Sequence, residues 1–278
     1  MSPIVMHVLA AALYFALALH LWRTRWRSSS PLPEQTPGKM HLLIERGALL
    51  AALVVHALGL RLAIFNGENM HFGFAIALSV MLWLAMALYW VESFYARLDG
   101  LQAIGLPAAA VAALLPALFS EPHILTNVSS PAFRLHLFTA MLAYSLFTLA
   151  ALHALLMAAA ERSLHRGRMS PLLSSLPPLL TMEAMLFRLI HVAFVLLTLT
   201  LLSGIFFSED LFGRALRFDH KTVFAILSWL IFAALLVGRH LRGWRGRMAL
   251  RWTLAGFMAL LLAYVGSRFV LEIILGRA

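Results

Sequence analysis

The stretch RLIHVAFVLLTLTLLSGIFFSEDLFGRALRFDHKTVFAILSWLIFAALLVGRHLRGWRGR, residues 188–247, decides the architecture. It opens on a long apolar run, breaks at a short polar segment, resumes with a second apolar run and closes on a basic turn. A helix that spans the hydrocarbon core of a bilayer needs about 20 mostly apolar residues. Both runs come close to that length, so they read as two membrane helices joined outside the bilayer. The joining segment gathers Glu209, Asp210, Arg214, Arg217, Asp219, His220 and Lys221 in a chain where charge is scarce.

The same pattern repeats outward from this stretch. Eight apolar runs are expected to span, at roughly 4–22, 44–64, 71–91, 101–119, 132–160, 184–207, 221–238 and 250–275. The fourth is short and holds Pro107 and Pro116, and the fifth is long enough to tilt or to extend past the bilayer. Of the 278 residues, 62% are hydrophobic and 12% charged, where a soluble domain has roughly 45–50% and about 25%. The sequence therefore predicts an all-α, polytopic integral membrane helix bundle. The first run lacks a basic n-region and a small-residue cleavage site and reads as a retained helix. The organisation expected is a first helix at 1–22, a cytoplasmic linker at 23–43 containing RSSSPLPEQTPGK, spans two to four at 44–130, and spans five to eight at 131–278. The linker sets the first helix apart as loosely attached to the other seven.

Fifteen of the 22 Lys and Arg residues fall on one side of this arrangement and seven on the other. Cytoplasmic loops carry the excess of Lys and Arg, so both termini are expected on the outer, periplasmic side. The net charge of +10 is thus a topology signal, and no nucleic-acid partner is expected. Arg214, Arg217 and Lys221 lie on the outer side, against the trend, and so invite a functional explanation. There is no cysteine, which excludes disulfides, thiolate metal sites and cysteine nucleophiles. Neither a phosphate-binding glycine loop, an HExxH zinc motif nor a GxSxG elbow occurs.

Histidine is the remaining metal ligand. His7, His20, His41, His165 and His240 lie at helix ends or in loops, and most read as solvated or at the headgroups. His56, His153 and His191 fall inside spans, where ionisable residues face the bundle interior and mark sites, or simply bond a neighbouring helix. His71, His123, His136 and His220 fall at the outer face. His136 is about one turn inside the fifth span, just after Arg134, and His220 opens the seventh beside Asp219 and Lys221. Two imidazoles at matching depth suit six-coordinate haem iron. Arg134, Arg214, Arg217 and Lys221 would meet the propionates through charge-assisted hydrogen bonds, with Phe212 and Phe218 against the porphyrin. The alternative is that Asp219 caps the seventh helix and that His220 and Lys221 are interfacial anchors. His136 and His153 lie 17 residues apart on one helix, about 26 Å, so they cannot share an iron. A second pair on the inner side, His153 with His191, is conceivable.

From about Phe133 to Val270 the chain resembles the cytochrome c assembly family of haem-handling membrane proteins, the group that includes CcmC, CcsA and HemX. LHLFTAMLAYSLFTLAALHALL resembles the family helix that opens on an external haem-ligating histidine, a position held by His136. RLIHVAFVLLTLTLLSGIFF resembles the helix leading into the family's tryptophan-rich outer loop, and FDHKTVFAILSWLIFAALLVGRHLRGWRGR the stretch that follows it. The tryptophan-rich loop appears as FGRALRFD, keeping Gly213 and Asp219 but carrying Phe212, Leu216 and Phe218 at the tryptophan positions. The histidine expected late in the next helix falls at Val237, no second external histidine occurs in SRFVLEIILGRA, and His220 stands where the family has proline. The pattern is most similar to the HemX and YpjD-like branch.

The resemblance implies a haem-binding or haem-handling protein of the bacterial inner membrane, with non-covalent b-type haem and cytochrome maturation proteins as partners. No bond-forming catalysis of its own is expected, because the tryptophan surface is gone. Two other classes stand beside this reading: a regulatory or structural membrane subunit that kept the fold without the ligand, and a transporter, for which only the two prolines of the fourth span speak.

Overall fold

The computed structural model describes residues 2–26, 39–66, 69–95, 99–119, 130–166, 176–206 and 220–274. Eight long helices carry the fold among them: α1 (Pro3–Leu21), α2 (Lys39–Ile64), α3 (Phe74–Glu92), α4 (Asp99–Leu118), α5 (Pro131–His165), α6 (Leu179–Phe206), α7 (His220–Arg242) and α8 (Gly246–Leu261). Each is long and apolar enough to cross a membrane. α8 runs on through a π-helical turn at Leu262–Gly266 and a last stretch to Ile274. A minimal ladder follows α2, with Phe65 paired to Met70 and Asn66 to Asn69 in antiparallel sense. Eight alternating spans put both termini at one end of the bundle, here the terminal end. The opposite end, carrying Arg46, Arg162, Arg239 and Arg245, is the arginine end.

The helix boundaries follow from local chemistry. The Ser130 side chain accepts from the Phe133 amide and Pro131 stands at the first helical position, where its missing N–H costs nothing. α7 ends where Gly243 takes φ +64° and α8 begins at Gly246 with φ +53°; a Cβ is disfavoured in that left-handed region. Between them Trp244 folds back, its amide donating to the Gly238 carbonyl at 3.2 Å. α4 remains one helix despite Pro107 and Pro116, since neighbouring helices in a membrane protein compensate the lost backbone bonds.

Lipid is as apolar as leucine, so helices in a bilayer associate through close packing and interhelical hydrogen bonds rather than by hiding from water. α5 is the hub, packed on α3, α4, α6 and α8. Its alanines 143, 150, 151 and 154 are buried and admit neighbouring backbones closely. Phe147 of α5 stacks on Phe232 of α7 at 3.9 Å between ring centroids. Polar stitches cross between helices: Trp83 Nε1 to Leu53 O, Trp90 Nε1 to Arg46 O, Ser228 Oγ to Gly256 O and Trp229 Nε1 to Thr198 Oγ1, each at 2.9–3.0 Å.

Two expectations change. The first helix is not loosely attached: α1 packs on α2 and α4, and Ala10, Ala11, Tyr14, Leu17, Ala18 and Leu21 belong to the main core. Ala10, Ala11 and Ala18 on this buried face let α1 approach its neighbours closely. His7 is not solvated either. It is 1% exposed, since Gly59 of α2 leaves room for its ring.

Candidate functional site

At the terminal end, the capped start of α5 sets the depth of His136. Five residues separate it from Pro131, about 7–8 Å along the helix. Its ring lies half-buried against Gly204 of α6, whose Cβ, were one present, would sit 3.6 Å from Cε1. Nδ1 is 2.8 Å from Ser203 Oγ. The Ser203 hydroxyl in turn donates to the Thr200 carbonyl at 2.9 Å. A hydroxyl has one proton to give, so toward His136 it acts as acceptor. With the hydroxyl proton on the Thr200 carbonyl, the pairing is the one that a histidine protonated at Nδ1 makes. That is the tautomer a metal-ligating histidine adopts, with the other ring nitrogen held by a hydrogen bond.

His220 is the first residue of α7 and is exposed. The Trp229–Thr198 bond fixes the register of α7 on α6. By that register His220 lies about one turn, roughly 5–6 Å, further toward the terminal end than Ser203. Lys221 is half-buried, with Nζ 5.9 Å from the centroid of the Tyr264 ring. Tyr264 sits in the π-helical turn of α8 and donates its hydroxyl to the Phe72 carbonyl at 3.3 Å. Such turns re-aim side chains and recur at functional sites. Arg134 is exposed on the first turn of α5. His71 lies just before α3, with Nδ1 buried and no hydrogen-bond partner among the described residues. Arg214, Arg217, Phe218 and Asp219, with Phe212, lie outside the described residues.

The two histidines deeper in the bundle have separate surroundings. His153 is fully buried, 3.5 Å from Glu92 of α3. His191 is exposed on α6 and its Nδ1 hydrogen-bonds the Phe187 carbonyl one turn back at 2.6 Å. His56 is buried and bonds across to Ser79 at 2.9 Å and Tyr14 at 3.3 Å, the neighbouring-helix role open to a span histidine. Among the described residues no group of three or more His, Asp or Glu converges on one point.

Sequence reasoning missed the polar clamp at the arginine end. Glu183, near the start of α6, accepts from Arg239 at 2.7 Å, Arg245 at 3.0 Å and the Gly246 amide at 3.3 Å. Glu161 of α5 accepts from Arg247 at 2.7 Å. The signal was present as two acids beside arginine-rich loops, but sequence does not say which arginine each acid meets.

The fold defines a polytopic helical membrane protein, with a half-buried histidine bonded to Ser203 at the terminal end of its hub helix. The sequence pattern of the family described as "Cytochrome C assembly protein" matches residues 44–275, and the chain belongs to that family. It is 33% identical over 168 residues, 60% of its length, to "Inner membrane protein YpjD" of Escherichia coli. It is 35% identical over 142 residues, 51% of its length, to a 28.8 kDa protein of Azospirillum brasilense. It is also 37% identical over 89 residues, 32% of its length, to "Cytochrome c biogenesis protein CcsA" of Prochlorococcus marinus. These matches span 63%, 52% and 28% of the relatives, so the chain covers less than two thirds of each. No solved structure matches. The chain is thus a multi-pass protein of the bacterial inner membrane.

Proposed function

We propose that the protein binds haem non-covalently, as b-type haem, at the terminal end of the bundle, and that this end faces the periplasm. The observation that carries the reading is the placement of His136: a half-buried imidazole about one turn inside α5, with Nδ1 2.8 Å from Ser203 Oγ. His220, at the start of α7, is the second axial ligand. Arg134 and Lys221, with Arg214 and Arg217 of the preceding loop, neutralise the propionates, and Phe218 and Asp219 complete that loop. His153 and His191 are secondary candidates for iron. Family membership supports the haem role, as does the printed name of the CcsA relative, a cytochrome c biogenesis protein.

The protein handles haem for cytochrome maturation or haem supply and forms no bond itself. Its partners are haem, the bilayer and other maturation proteins. The test is haem content of the detergent-purified protein by the pyridine haemochrome assay, with and without added haem during expression. One haem per chain, lost in His136→Ala and reduced in His220→Ala, is expected. A wild-type protein that never retains haem overturns the proposal and leaves a ligand-free membrane subunit. Labelling of single cysteines placed at Arg134 and Arg245 tests orientation: a membrane-impermeant reagent should reach the first and not the second.

A further inference from the structure

We infer a second, non-haem site at the arginine end: a divalent transition-metal site built from His153 of α5, Glu92 of α3 and Gln102 of α4. His153 is 0% exposed and neither ring nitrogen has a hydrogen-bond partner among the described residues. Buried Glu92 Oε2 and Gln102 Oε1 are in the same condition. Polar atoms buried in protein are satisfied in the great majority of cases, and leaving one unmatched costs about 1–3 kcal/mol. Four on three adjoining helices need a common explanation.

Gln102 and His153 lie at neighbouring levels of α4 and α5. A Cβ on Gly105 of α4 would come 2.9 Å from Met86 of α3 and 4.0 Å from Leu152 of α5, and one on Gly100 would come 3.3 Å from Leu156. Gln102 lies between those two glycines, and His153 between those two leucines. Glu92 is the last residue of α3, and its carboxylate lies 3.5 Å from His153 Nε2.

That separation discriminates between two chemistries. Charge-assisted N–H···O bonds run at about 2.7–2.9 Å, so 3.5 Å is long for a direct bond. Zinc takes nitrogen at about 2.0–2.1 Å and carboxylate oxygen at about 2.0–2.2 Å in tetrahedral array. The edge of such a tetrahedron is about 3.4 Å, the separation seen here. Among the described residues Arg46 is turned to other partners: it donates to the Ser93 carbonyl and stacks on Phe94 at 4.4 Å. Imidazole, carboxylate and amide oxygen together suit a borderline divalent cation such as Zn²⁺. The Glu92 side chain is 18% exposed and offers the way in from the arginine end. An ionisable residue within the spans of a membrane protein is by default a candidate functional site.

The probes are Zn²⁺ and Co²⁺ on the detergent-purified full chain, stripped with chelator, reloaded and desalted. One Zn²⁺ per chain is expected, together with visible bands of tetrahedral Co²⁺. Glu92→Gln keeps the shape and removes the charge, and should weaken Zn²⁺ by about tenfold or more. Gln102→Glu adds an anionic ligand and should strengthen it. His136→Ala, which removes the haem ligand at the other end, should leave Zn²⁺ unchanged. Folding of each variant is checked by far-UV circular dichroism and size exclusion. A folded wild type that takes up no Zn²⁺, or a Glu92→Gln protein that binds it as the wild type does, overturns the site and leaves a loose ion pair.

Discussion

Replacing Glu183 with Gln should destabilise the bundle far more than the same change at Glu161, although both acids accept an arginine at 2.7 Å. Burial makes the difference. The Glu183 side chain is 8% exposed and its principal partner Arg239 26%, whereas Glu161 and Arg247 are 23% and 58% exposed. Glu183 also receives the Gly246 amide, and Arg239 lies over Phe187 at 4.6 Å and donates to the Trp244 carbonyl. Arg239 is therefore held among the helices by more than its carboxylate partner. Removing one partner of a buried pair costs about 3–5 kcal/mol, and an exposed pair contributes about 0–1 kcal/mol. Arg245, 60% exposed, adds little. With about 2–4 °C per kcal/mol for a chain of this size, Glu183→Gln should lower the melting temperature by roughly 6–20 °C. Glu161→Gln should lower it by less than about 4 °C, and that smaller shift should vanish in high salt. The assay is thermal unfolding in detergent by circular dichroism, with Arg239→Gln closing a double-mutant cycle. Equal shifts for the two acids, or a Glu183 shift that salt abolishes, would refute the reasoning.

Further outcomes are expected at Ser203, at two helix glycines and at Ser79. Ser203→Ala removes the acceptor that orients His136 and should weaken haem by about 10–100-fold without loss of fold, read by haem titration; unchanged affinity would mean that Ser203 does not set the tautomer. Gly256→Ala would place a Cβ 2.8 Å from the buried Phe232 ring and should cost about 1–3 kcal/mol. Gly47→Ala, with nothing within 4 Å, should be neutral or stabilising by about 0.5–1 kcal/mol, and thermal unfolding ranks the two. Ser79→Ala breaks the link to His56 and should cost about 0.6–1.7 kcal/mol, the scale of interhelical hydrogen bonds in membranes.

The spans were legible because a bilayer imposes one rule, a run of apolar residues about 30 Å long. Their ends fell within a few residues of the structure wherever a cap spoke, as at Ser130–Pro131. α5 extends to His165 because its last turn, with Glu161 and His165, is polar and only hydropathy had ended it. The docking of α1 and the burial of His7 were not legible, since lipid-facing and protein-facing positions are equally apolar. For the same reason the partners of Glu183 and of His153 were hidden: packing, not spacing along the chain, brings them together. His136 could be singled out because it is polar and near a helix start. That its partner is Ser203, 67 residues on, required the fold.

The most direct test of a haem site on His136 is the absorption spectrum of the haem-loaded protein, oxidised and reduced, for the wild type and for His136→Gly with and without added imidazole. The expected result is a six-coordinate low-spin spectrum in the wild type, lost in His136→Gly and restored by imidazole entering the space the side chain leaves. A His136→Gly protein with the wild-type spectrum in the absence of imidazole would contradict the account, because haem would then be held without the histidine on which the site is built.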